Sequence, residues 1–112
     1  NNKRIRSGET IKHTIKSLKP FPITCILLNC NPLDRTRNGL KELIRHWHKP
    51  FGIYPNLGVG EPSPDGIIKA HQSDDKFILI IEEAIKMGAT VVGGCCGTTP
   101  HHIGLIKKYF SI

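Results

Sequence analysis

Three short apolar runs, each followed by a segment of helical periodicity, restrict this chain to one class of architecture. The first, Ile23-Thr24-Cys25-Ile26-Leu27-Leu28, has no polar alternation and lies between Pro22 and the turn-like Asn29-Cys30-Asn31-Pro32. That is the pattern of a strand buried on both faces in a parallel sheet covered by helices. Phe51-Gly52-Ile53-Tyr54 reads as the second strand and Ala89-Thr90-Val91-Val92 as the third. Over 36–48, Leu40, Leu43, Ile44 and Trp47 recur at three and four residues, exposing Lys41, Glu42 and Arg45, until Pro50 ends the helix. Ser73 caps a helix with Asp74 and Asp75 in its first turn, Phe77, Ile80, Ile81, Ala84 and Met87 on one face, and Gly88 as its stop. Thr99 as N-cap and Pro100 as first residue open the last helix, with Ile103, Ile106 and Phe110 turned inward. A leading helix over 9–18 carries Ile11, Ile15 and Leu18 on one face and cannot pass Pro20 and Pro22.

A helix followed by three strand–helix units calls for parallel strands joined by right-handed crossovers. Alone, such units make an open sheet with two bare edges. The closed form of this pattern takes eight units and about 250 residues, and this chain has 112. The expected fold is therefore α/β, three strand–helix units that form a piece of a (β/α)8 TIM barrel, with residues 1–112 forming one partial barrel domain. A start without methionine in a polar stretch fits such a piece. The absence of an apolar run of about eighteen residues, or of a signal-peptide core, sets the expectation of a soluble, cytoplasmic protein. Pro55-Asn56 stops the second strand, and the stretch that follows to Gln72, rich in glycine and proline, is long for a mere connection and is expected to serve function.

The charge balance is 16 Lys+Arg against 9 Asp+Glu, a net +7. Lys3, Arg4 and Arg6 open the chain, Lys12, Lys16 and Lys19 follow at helical spacing, and Lys107 and Lys108 close it. No aromatic residues interleave these charges, and at 6% aromatic content no platform for stacked bases is expected. The expectation is a solvated basic surface that binds neither nucleic acid nor membrane.

The four cysteines do not read as a disulfide framework. Cys95 and Cys96 are adjacent, and Cys25 and Cys30 fall too far apart along a strand to bridge. In parallel α/β folds ligands bind at the carboxyl ends of strands, where Cys30, Cys95 and Cys96 all fall. Three thiols at one rim suit a zinc ion with its fourth position open. Adjacent cysteines reach one metal only if the backbone bends, and Gly93, Gly94 and Gly97 allow it. Cys25, mid-strand and of opposite parity to Cys30, reads as a small buried residue. Gly93 to Pro100 could instead cradle a phosphate, but no P-loop lysine is in place. His101 and His102 read as surface or supporting groups, and His46 and His48 as exposed.

Three segments carry a resemblance. Val91-Val92-Gly93-Gly94-Cys95-Cys96-Gly97-Thr98-Thr99-Pro100-His101-His102-Ile103 resembles the signature of the homocysteine S-methyltransferase family, whose usual form reads GGCCGT-x-P-x-H-I. Leu28-Asn29-Cys30-Asn31-Pro32 is similar to its asparagine–cysteine motif at the end of the sixth barrel strand, and Tyr54-Pro55-Asn56-Leu57-Gly58 to its Tyr-Pro-Asn-x-Gly element on the seventh. They stand in the family's order over roughly residues 23–106, and the resemblance implies that the three strand–helix units are the last three of a (β/α)8 TIM barrel. The resemblance implies methyl transfer to the thiol of homocysteine, giving methionine, with Cys30, Cys95 and Cys96 as zinc ligands and no residue forming a covalent intermediate. Asn29 and Asn56 would orient the ligand loops or the substrate. Glu61 falls near the family's Gly-Glu pair, but Val59-Gly60 intervenes. The first five strands, which hold much of the homocysteine site and part of the site for a sulfonium, betaine or methyl-folate/cobalamin donor, have no counterpart here. The chain is thus expected either to serve in a methyltransferase completed by that N-terminal segment or to be a non-catalytic zinc-binding or assembly fragment, associating through its bare edges. A basic nucleic-acid module is the remaining alternative.

Overall fold

The computed structural model describes residues 3–5, 8–58 and 71–110. Its elements run α1 (Ile11–Leu18), β1 (Ile26–Pro32), α2 (Leu33–His46), β2 (Phe51–Asn56), α3 (Asp74–Lys86), β3 (Val91–Val92) and α4 (Pro100–Phe110). The strands form one parallel sheet in the order β1-β2-β3. Successive helices pack side by side, with α2 also against β1 and β2 and α3 against β2. Extents of 38 × 36 × 20 Å correspond to two layers, one sheet and one row of helices.

The helix limits follow from local chemistry. Thr10 accepts the His13 N–H at 3.0 Å to start α1, and Ser73 accepts that of Lys76 at 3.3 Å to start α3. At the end of α3, Gly88 takes φ 109°, with Gly88 N–H donating to Ile85 O and Ala89 N–H to Ala84 O. That pair of bonds is a Schellman closure and bears out Gly88 as the stop. Helix α2 begins at Leu33, three residues before the expected start, because Pro32 sets up its first turn and the Thr36 hydroxyl bonds back to the Asn31 and Pro32 carbonyls.

The core lies on one side of the sheet. Phe51, Ile53 and Leu57 of the central strand and its extension meet Leu33, Leu40 and Leu43 of α2 and Phe77, Ile80, Ile81 and Ala84 of α3, with Ile11, Ile15 and Ile106 at the flanks. Each leucine, isoleucine or phenylalanine among them contributes about 1.5–3 kcal/mol on leaving water. The expectation of a first strand buried on both faces is corrected. Ile26 and Leu28 enter the core, while Leu27 is 39% exposed, as is Val91 at 45% on β3. Leu27, Gly52 and Val91 stand in one row on the face opposite the core, and no described element covers them. The strand also begins three residues late. Pairing starts at Ile26 opposite Phe51 because β2 opens only after Pro50, which has no N–H to give. Cys25 therefore precedes the strand, half-buried. β3 is shorter than expected, although Thr90 and Gly93 extend its hydrogen bonding to Phe51 and Ile53 on either side. Ile103, expected inward, is 50% exposed on α4, where Ile106 and His102 hold the buried face.

The close approach of three strands at Gly52 yields a test. A Cβ there would run into the Val91 carbonyl and lie 2.6 Å from Leu27 Cδ2. Gly52→Ala should cost roughly 1–3 kcal/mol, read as a lowered urea midpoint; an unchanged midpoint would show that the sheet yields freely at this row.

Candidate metal centre

The three thiols expected to converge do so. Cys30 Sγ lies 3.4 Å from Cys96 Sγ, Cys95 Sγ lies 3.9 Å from Cys96 Sγ, and all three sulfurs fall within 4.8 Å of one another. Two backbone irregularities make this possible. Between Asn29 and Pro32 the β1–β2 register slips, three steps on β1 answering two on β2, and within this bulge Cys30 takes φ 53°. A non-glycine residue in the left-handed region costs of the order of 1 kcal/mol, and the turn aims the Cys30 sulfur across the strand ends. After β3 the chain bends through Gly97 at φ 83°, where a Cβ would press on His71 and Leu57. Gly94 serves close packing: a Cβ there would collide with Thr98.

The end of β2 braces both sulfur-bearing segments. Pro55 O accepts the Cys95 N–H at 2.9 Å, and Leu57 N–H donates to Cys96 O at 2.9 Å. Between them, Asn56 donates from Nδ2 to Cys30 O at 2.7 Å, while its Oδ1 accepts the Gly58 N–H at 3.0 Å. Asn56 is only 4% exposed, so both ends of its amide are spent inside the chain. Thr98 closes the second segment by donating its N–H and Oγ1 to Cys95 O at 3.1 and 2.6 Å.

The donor set suits a metal in spacing and charge. Corners of a zinc–thiolate tetrahedron with bonds of about 2.3 Å stand about 3.8 Å apart, close to the two sulfur separations above. Burial opposes ionisation of Cys30, but hydrogen bonds from the Cys95 thiol, from the Cys96 backbone and thiol and from the Asn56 amide outweigh it and lower that thiol below its ordinary 9.0. Burial, and then hydrogen bonding to Cys30, push the Cys95 thiol up to about 12. In the metal-free chain the Cys30 thiol thus gives up its proton more readily than that of Cys95, whereas a cation among the sulfurs would offset the repulsion among three thiolates.

The other expected site residues sort by depth. Asn29 is exposed and pairs in register with Tyr54. His48 is exposed, but His46 is half-buried with Nε2 3.3 Å from Glu42 Oε1, a correction to its expected exposure. His101 is exposed and lies 2.8 Å from Asp74 Oδ2. His102, expected as a surface or supporting group, is buried at 8% exposure, bonds to Thr99 and has its Nε2 3.3 Å from Asp74 Oδ1. Glu61 lies outside the described residues. What sequence reasoning missed is mostly backbone: the carbonyl of Pro55 and the amide of Leu57 leave no trace in residue type. His102 had a usable signal, since it stands three residues after Thr99, the offset at which a side chain reaches back to a helix cap.

Two outcomes test this geometry. Asn56→Ala should destabilise the chain by about 1–3 kcal/mol, because it strands the Cys30 carbonyl and the Gly58 amide, and chemical unfolding reads the difference. In the metal-free chain at pH 9, the ordinary thiol value, iodoacetamide should modify Cys30 well before Cys95, since the lowered group is more than half ionised there and the raised one is almost wholly protonated. Mass mapping that finds Cys95 modified first would contradict the arrangement.

Comparison with known proteins accords with this site. A family model described as homocysteine S-methyltransferase matches residues 1–110. The chain is 36% identical over 109 residues to homocysteine S-methyltransferase 2 of Zea mays, covering 93% of this chain and 32% of that protein. It is 31% identical over 98 residues to methionine synthase of Mycobacterium leprae, covering 86% of this chain and 8% of that protein. Among solved structures, the metallated form of the homocysteine methyltransferase MmuM from Escherichia coli superposes with a TM-score of 0.71 at 26% identity, over 96% of this chain and 32% of that one. The chain thus spans about a third or less of the length of these relatives. With the family model matched along nearly its whole length and the thiol rim at the ends of its parallel strands, the chain belongs to the homocysteine S-methyltransferase family.

Proposed function

We propose that Cys30, Cys95 and Cys96 hold a zinc ion at which the thiol of homocysteine is methylated to methionine, this chain supplying the last three strand–helix units of a (β/α)8 barrel. The observation that carries the reading is the sulfur triad at the ends of β1 and β3, braced by the end of β2. Bound there, the ion supplies Lewis acidity that ionises a thiol at neutral pH and leaves its sulfur nucleophilic. The chain's own residues fix geometry. Asn56 orients the Cys30 bulge through the carbonyl of that residue, and Asn29, exposed beside Tyr54, faces the substrate. The protein needs no covalent intermediate: a sulfur–methyl bond forms as the methyl–donor bond breaks, and the thiol proton passes to solvent.

The exposed row of Leu27 and Val91, and the strand edges of β1 and β3 that no described strand covers, support a barrel completed by a further segment that brings much of the homocysteine site and part of the donor site. The four cysteines are free, which suits the reducing cytoplasm, and no described helix is long and apolar enough to cross a membrane. Lysines 12, 16, 19, 107 and 108 are exposed, the first three on α1 or at its end and the last two on α4, and this reading assigns them no nucleic-acid partner. The same exposed row favours a second reading, in which the chain binds zinc and assembles without turning over.

Elemental analysis and a methyl-transfer assay separate the two. About one zinc per chain should be found, lost in Cys30→Ser, Cys95→Ser and Cys96→Ser and kept in Cys25→Ser. Transfer to homocysteine should then appear on adding the family's N-terminal barrel segment. Zinc without transfer in the complemented protein would favour the assembly reading, and no zinc in the unmodified chain would overturn both.

A further inference from the structure

The turn that carries Cys95 and Cys96 is braced by β2 on its N-terminal side, and a separate device holds its C-terminal side. Thr99 follows Thr98, which closes the turn onto Cys95 O, and Thr99 donates its N–H to His102 Nδ1 at 3.0 Å. That bond makes Nδ1 the acceptor, so the imidazole proton sits on Nε2, which lies 3.3 Å from Asp74 Oδ1. The ring is buried and stands edge-on to Phe77 with centroids 5.3 Å apart. Asp74 is the first residue of α3 and is held on its other oxygen by His101 Nε2 at 2.8 Å.

A glutamine or glutamate at this offset would close the helix start by bonding back to the cap N–H. Imidazole does that with one nitrogen and has a second for Asp74. Through it the start of α4, and with it the Thr98–Thr99 peptide, is tied to α3, which packs on the same β2 that braces the other side of the turn.

We propose that His102, held by Asp74, is a positioning residue for the thiol turn, keeping the Cys95 and Cys96 sulfurs at ligand spacing before any metal arrives. The proposal rests on the metal reading above and adds what sets its affinity. Supporting groups of this kind change metal affinity by roughly 10–100-fold when removed.

Cobalt(II) titration, followed by the thiolate-to-cobalt absorption, reads affinity and coordination without an activity assay. His102→Ala should weaken cobalt binding by roughly tenfold or more. His102→Gln should recover most of that loss, because its side-chain oxygen accepts the Thr99 N–H. Asp74→Ala, remote from the sulfurs, should weaken binding by a smaller factor. His102→Ala with the parent's affinity and spectrum, whatever its unfolding midpoint, would reduce the network to a helix cap and overturn the proposal. Should His102→Ala fail to fold, parent-like binding by Asp74→Ala overturns it equally. An unmodified chain that takes up no cobalt would sink the metal reading and this proposal with it, whereas variants that match a cobalt-binding parent sink this proposal alone.

Discussion

The rim depends on three consecutive residues at the end of the central strand. The Pro55 carbonyl, the Asn56 side chain and the Leu57 amide reach respectively to Cys95, Cys30 and Cys96. A central strand can do this because it has a neighbour on each side, and its last residues have backbone groups that the short β3 ladder leaves unused. Proline suits the first of these positions. It gives up an N–H that the sheet does not need there and keeps the carbonyl that receives Cys95. The asparagine amide, with a donor and an acceptor at opposite ends, bridges the bulge on β1 and the turn after β2 in one buried group.

That bracing has an electrostatic consequence. Sulfurs held together in this way do not ionise alike: hydrogen bonds lower the Cys30 thiol, whereas burial and then the bond to Cys30 raise that of Cys95. Backbone hydrogen bonds hold the two sulfur-bearing segments together, so ionising all three thiols would set three negative charges within 4.8 Å of one another. Chemistry that needs several thiolates at once must then bring in positive charge, and a divalent cation does so most compactly.

The sheet's two faces differ in kind. The face toward α2 and α3 is a packed core, whereas Leu27 and Val91 lie bare on the other, with Gly52 between them so the backbones can close. The apolar run of β1 suggested burial on both faces, and within the described residues only one face is covered. The pattern of side chains records the environment for which a strand is suited, and the described elements supply one side of it.

Element order, parallel pairing, helix caps and the identity of the three rim cysteines were legible in the sequence. Periodicity, prolines and cap residues act over a few neighbours, and the cysteines stand at strand ends whatever the packing. Boundaries were less legible. The first strand was displaced by Pro50 across the ladder, a long-range pairing that its own residues do not encode. The left-handed Cys30, the backbone donors and acceptors of Pro55 and Leu57, and the burial of His102 against Phe77 were decided by the tertiary structure alone. The physical reason is common to all of them. A side chain's type fixes what it can bond to, but which backbone group lies within about 3 Å of it is settled only when distant segments pack together.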